Sequence, residues 1–124
     1  MANTSILTDV KQVCGIEPEY TFYDLDLTMH INSAFATLHQ LGIGPDEAFE
    51  IADATETWDD FIGGNTKFNS VRTYVALKVK SIFDPPSTSF VIAAMEKQLQ
   101  ELEWRLNVVR EETEWVDPTV LVEP

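Results

Sequence analysis

One stretch limits the possible folds more than any other: KVKSIFDPPSTSFVIAAMEKQLQELEWRL, residues 78–106. Proline has no amide hydrogen to donate and pushes the residue before it out of helical geometry, so the Asp84-Pro85-Pro86 triplet must end one helix. Ser87, Thr88 or Ser89 then caps another. Within that second helix Ile92, Met95, Leu99, Leu102, Leu106 and Val109 recur at intervals of three, four, three, four and three, a continuous a/d seam. Such a stripe ordinarily packs on the helices of its own domain, because a small domain needs that face for its core.

In the same register Trp104 falls at f, opposite the seam, with Ala94 and Val108 near that side and Lys97, Glu101 and Glu111 keeping it mixed. Two readings follow. Either the helix has a second buried face, or the indole lies over the aliphatic stem of Lys97 and its neighbours.

Three further helical patterns precede the long one. Ile6, Val10, Val13 and Cys14 define a short first helix, with Thr4 or Ser5 as N-cap and Gly15 at its end. Leu27, Ile31, Ala34, Phe35, Leu38 and Leu41 define a second, stopped by Gly42 and Pro45. Phe68, Val71, Val75, Val79 and Ile82 carry the third up to the proline pair. Between the second and third, Phe49 and Ile51 alternate as in a short extended piece. A single helical turn follows, bearing Trp58 and Phe61, where Thr57 and Asp60 form a capping-box variant before Gly63-Gly64.

The predicted fold is therefore all-α. It is a small helical bundle of about four helices with a long C-terminal helix, a short extended or irregular middle segment and an extended C-terminal tail. At 124 residues the chain suits one core and one domain. Residues 1–112 form the helical domain and 113–124 the tail. In that tail Trp115, Val116, Val120, Leu121 and Val122 are apolar and largely β-branched but interrupted by Pro118, so they need a surface to cover them.

The chemistry on offer is sparse. Asp26 and His30, four apart, share a helix face as a metal or acid–base pair would, but two groups make a weak set, and His39 lies about half a turn out of phase. A solvated helix-start carboxylate beside a histidine accounts for the same residues. Glu56, Asp59 and Asp60 near a helix start complement its dipole. The segment GIGPDE lacks the preceding strand and third glycine of a dinucleotide loop. We expect no enzyme activity, no cofactor and no resident metal.

Cys14 is the single cysteine, which rules out an internal disulfide and reads as a small core residue near a helix end. The opening residues lack a basic patch followed by an apolar run, and no segment approaches roughly 18 consecutive apolar residues, so a soluble protein made in a cytoplasm, with no membrane partner, is expected. With 21 acidic against 8 basic residues the net charge is −13, which opposes binding to phosphate backbones.

The ordered series SILTDVKQVCGI, MHINSAFATLHQLGIGP, TETWDDF, VRTYVALKVKSIFDPP and ELEWRLNV resembles the head-tail connector (adaptor) proteins of long-tailed bacteriophages over about residues 5–110. The resemblance implies a structural virion protein: a homo-oligomeric ring, a dodecamer, under the portal protein, joining the DNA-filled head to neck and tail-completion proteins. DNA would meet it only in non-specific passage through the channel, and an acidic surface suits such passage. It implies a location at the head-tail interface of the virion after synthesis in the host bacterial cytoplasm. On this reading the subunit and portal interface is formed by Trp104, Val108, Trp115, Val116, Val120, Leu121 and Val122, through heterologous contacts that close a ring. The alternative is a stand-alone acidic helical interaction or regulatory module.

Overall fold

The computed structural model describes residues 4–44, 49–63 and 70–114. Among them are five helices and no strand: α1 (Ile6–Val13), α2 (Asp24–Gln40), α3 (Trp58–Ile62), α4 (Ser70–Phe83) and α5 (Ser89–Glu114). The expected all-α bundle is present, and the helix beyond the four longer ones is α3, the single turn that begins at Trp58. Phe68, read from the sequence as the start of the third pattern, lies outside the described residues.

Helix ends follow from local chemistry. The Ser5 hydroxyl accepts the Thr8 amide 3.2 Å away and opens α1. At the end of α2 the Gly42 amide bonds the His39 carbonyl and the Ile43 amide reaches back to Leu38, both at 2.9 Å. This six-to-one and five-to-two pairing requires the left-handed φ of +82° that glycine adopts without strain. The turn also delivers Ile43, 2% exposed, into the core. Gly44 answers a different need: a β-carbon there would stand 2.5 Å from the Phe61 ring. Thr57 and Asp60 form a complete reciprocal capping box at α3. Of the three candidate caps for α5, Thr88 serves, its hydroxyl accepting the Val91 amide at 3.3 Å.

Helix α4 is the central element and packs against α1, α2 and α5, while α1 also lies on α2. Val71, Tyr74, Val75 and Val79 have no exposed surface. Against them α2 buries Leu27, Ile31, Ala34, Phe35 and Leu38, the positions its periodicity marks. Phe35 anchors one end of the core, with ring centroids 4.6 Å from Phe61, 4.9 Å from Phe49 and 6.4 Å from Trp58. The irregular segment is held without a sheet. The Asn32 side-chain amide both donates to the Ile51 carbonyl at 3.0 Å and accepts its amide at 2.7 Å, so one side chain acts as a strand partner for one residue. The N-terminus is tied to the same region by Ile6 amide to Glu56 carbonyl and Trp58 amide to Thr4 carbonyl.

Two expectations about burial need correction. Ile82, assigned to the inner face of α4, is half exposed. The α5 stripe is also not buried along its full length: Leu99 and Leu106 are in the core, Met95, Leu102 and Val109 are half-buried, and Ile92 is exposed. Helix length explains the exposure of Ile92 and the partial burial of Val109 at the ends of that stripe. At 1.5 Å per residue the 26 residues of α5 span about 39 Å and the 14 of α4 only about 21 Å. The Tyr74–Glu103 hydrogen bond sets the antiparallel register of the pair, so α5 overhangs α4 at both ends.

That bond has a consequence for alkaline stability. The Tyr74 phenol, fully buried and donating to Glu103 at 2.7 Å, has its ionisation pushed far up by burial, then by the bonded carboxylate. The buried Cys14 thiol is raised too, chiefly by burial, with Lys80 opposing and Asp84 adding. Both groups hold their protons in the folded state to higher pH than in the unfolded chain. Their contribution is thus full below the ordinary values of 9 for the thiol and 10 for the phenol, and falls as pH rises beyond them. Urea unfolding between pH 8 and 11 should show stability declining by up to about 1.4 kcal/mol per pH unit for each group that ionises only on unfolding. Tyr74→Phe should flatten the part of that slope above pH 10.

Candidate assembly surface

Among the described residues, two sets of large apolar side chains face solvent. The first is on α5, where Phe90 is 82% and Trp104 66% exposed, with Val91 also exposed. Trp104 stands where the heptad register places it, opposite Leu99 and Leu106. The isolated chain leaves most of the indole in solvent, so any second buried face on this helix would need another molecule to cover it. Val108 is half-buried. Between them on the same outer face, Ala94, Lys97 and Glu101 are exposed, and Glu101 pairs with Arg105 at 2.9 Å one turn on. Such exposed pairs contribute a few tenths of a kcal/mol. Trp115, Val116, Val120, Leu121 and Val122, the remaining expected interface residues, lie outside the described residues.

The second set gathers where α2 begins. Tyr20, Phe22 and Tyr23 form a contiguous aromatic group, Phe22 and Tyr23 meeting edge to face at 4.9 Å, and Tyr23 continues to Phe83 at the end of α4, 5.0 Å away. Phe22, Leu25 and Met29 are 74%, 72% and 61% exposed. Sequence reasoning did not single these out, nor Phe90. A signal existed for each: Leu25 and Met29 are four apart and off the Leu27–Ile31–Leu38 stripe, and Phe90 precedes Trp104 by two heptads.

Polar groups are engaged in holding the fold. One carboxylate oxygen of Asp9 accepts from the Thr4 hydroxyl, from the Trp58 indole at 2.7 Å and from Arg72 at 3.2 Å, while the Arg72 guanidinium sits 5.7 Å over the Trp58 ring. Lys11, only 3% exposed, is satisfied by Asp24 at 2.8 Å and the Pro18 carbonyl at 2.9 Å. Asp26 is exposed and His30 half-buried on α2. Among the described residues no three His, Cys, Asp or Glu side chains gather as a metal site requires, and no helix is long and apolar enough to cross a membrane.

Fold and surface define a class: a small all-α protein whose polar side chains staple the bundle and whose large apolar side chains are partly turned outward. The chain belongs to the phage connector protein family, whose model matches residues 6–113. No curated protein and no solved structure matches it significantly. Family membership supports a structural connector role in the phage particle, at its neck, in contact with other virion proteins.

Proposed function

We propose that the protein is a ring-forming head-tail connector that docks on the portal protein and presents a platform to neck or tail-completion proteins. The observation that carries this reading is the outer face of α5, where Phe90 and Trp104 are left 82% and 66% exposed, opposite the Leu99–Leu106 face that packs into the core. Isolated exposed hydrophobics are ordinary. Two large ones aligned along one helix face, with a separate aromatic group at Phe22, fit a subunit covered by different neighbours on different sides. Trp104 and Val108 are assigned to the subunit or portal contact, and the apolar tail residues Trp115, Val116, Val120, Leu121 and Val122 to the same assembly. The net charge of −13 keeps free subunits soluble and gives passing DNA little to adhere to.

Trp104→Ala tests the assignment. Because the indole is exposed, the variant should unfold within about 1 kcal/mol of the parent. Its assembly on the portal, followed by sedimentation, should weaken by tenfold or more, about 1.4 kcal/mol or above. Equal loss of stability and assembly would return Trp104 to a role within the fold. A chain that stays alone whether or not the portal is present would favour the stand-alone acidic module instead.

A further inference from the structure

The outer face of α5 carries an order that ring formation does not require. Phe90, Ala94, Lys97, Glu101, Trp104 and Val108 follow one another at four, three, four, three and four residues, a second seam opposite the one that packs on α4. These six positions are symmetric about residue 99, standing nine, five and two places to either side. When two copies of α5 lie antiparallel across a two-fold axis at that residue, Lys97 faces the partner's Glu101 and Ala94 faces the partner's Trp104. Phe90 then faces the partner's Val108. Every layer pairs large with small or positive with negative, and each occurs twice.

A parallel pairing in register fails on the same residues. It sets Lys97 against Lys97, Glu101 against Glu101 and two indoles in one layer. Among the described residues Lys97 has no ion-pair partner, and the bond of Glu101 to Arg105 is an exposed one that leaves carboxylate lone pairs available. A polar layer at the centre of an otherwise apolar seam fixes register and orientation at some cost in affinity.

We infer that the free protein forms an antiparallel two-fold dimer through the outer face of α5, and that the occupant of this face before assembly is a second copy of the chain. The contact runs from Phe90 to Val108, about 27 Å of helix, which places it among small, readily reversible interfaces. Reversibility is what an assembly subunit requires. The dimer shields Phe90 and Trp104 from non-specific association, and opens when the neck of the particle offers a better surface. The inference rests on reading this face as an assembly surface but not on the identity of the portal.

Sedimentation of the full chain alone, over a range of concentrations, tests it through charge exchange. The parent should reach the mass of a dimer and stop there. Lys97→Glu and Glu101→Lys, each placing like charges in both central layers, should each raise the dimer dissociation constant about tenfold or more. The double variant Lys97→Glu/Glu101→Lys, whose net charge is that of the parent, should return it to within about threefold. Thermal melts of all three variants verify that the fold is kept. A parent that remains monomeric, or that grows past the dimer, overturns the inference, as does a double variant no tighter than the singles. A dimer with the expected charge dependence that ignores added portal would reject the connector reading while upholding the pairing.

Discussion

Phe35→Ala should cost about 3–5 kcal/mol of folding stability, the largest effect expected of any single truncation in the chain. Phe35 is fully buried and its ring joins α2 to the irregular segment through Phe49 and to α3 through Phe61 and Trp58. Removing it withdraws apolar surface from burial and leaves a space that the Phe49 ring of the irregular segment and the Trp58 and Phe61 rings of α3 cannot collapse into together. Domains of this kind are stable by roughly 5–15 kcal/mol, so the variant should lie near the limit of folding. Urea titration followed by circular dichroism measures it. A loss below about 1 kcal/mol would mean that the aromatic cluster does not hold α3 to the bundle.

Asp9→Ala should cost about 2–3 kcal/mol, and for a different reason. One oxygen of Asp9 satisfies three donors from three parts of the chain: Thr4, Trp58 and Arg72. Without it the indole N–H, on a side chain 3% exposed, loses its acceptor, and Arg72 is left over the ring without a counter-charge. The figure is held down because Asp9 and Arg72 each keep about a quarter of their side-chain surface in water (26% and 25%), where screening reduces what the charges contribute. Asp9→Asn keeps an acceptor and loses the charge, so it should fall between the parent and alanine. Comparing Asp9→Ala, Arg72→Met and the double variant isolates their pair term, expected to be near 1 kcal/mol. Strictly additive losses would show that the two residues stabilise the fold independently.

These two sites mark what a sequence conveys and what it withholds. Helix positions were legible because they depend on neighbours in the chain: the Leu27–Ile31–Leu38 spacing, the Thr57–Asp60 box, Gly42 after α2 and the proline pair after Phe83 all act within a few residues. The Asp9–Trp58–Arg72 staple was not legible, since it joins positions 49 and 63 residues apart that carry no shared period. Nor was the grip of Asn32 on Ile51, nineteen residues away. Periodicity also shows which residues share a face without showing how far a neighbour extends along it. Ile92 therefore looked internal, although it lies on the part of α5 that extends past the end of α4. Trp104 was identified because it broke the pattern of its own helix. Phe22, Leu25 and Met29 were passed over because a single apolar residue off the stripe is common on any surface.

The central claim is that the apolar outer face of α5 exists to be covered by other proteins of the phage neck. Sedimentation of the full chain with the isolated portal ring, read for the mass of the complex, tests this most directly. Many copies should bind as a closed ring, and Trp104→Ala should lose most of that complex while remaining folded. A chain that sediments unchanged beside the portal, or a Trp104→Ala variant that assembles as the parent does, would contradict it.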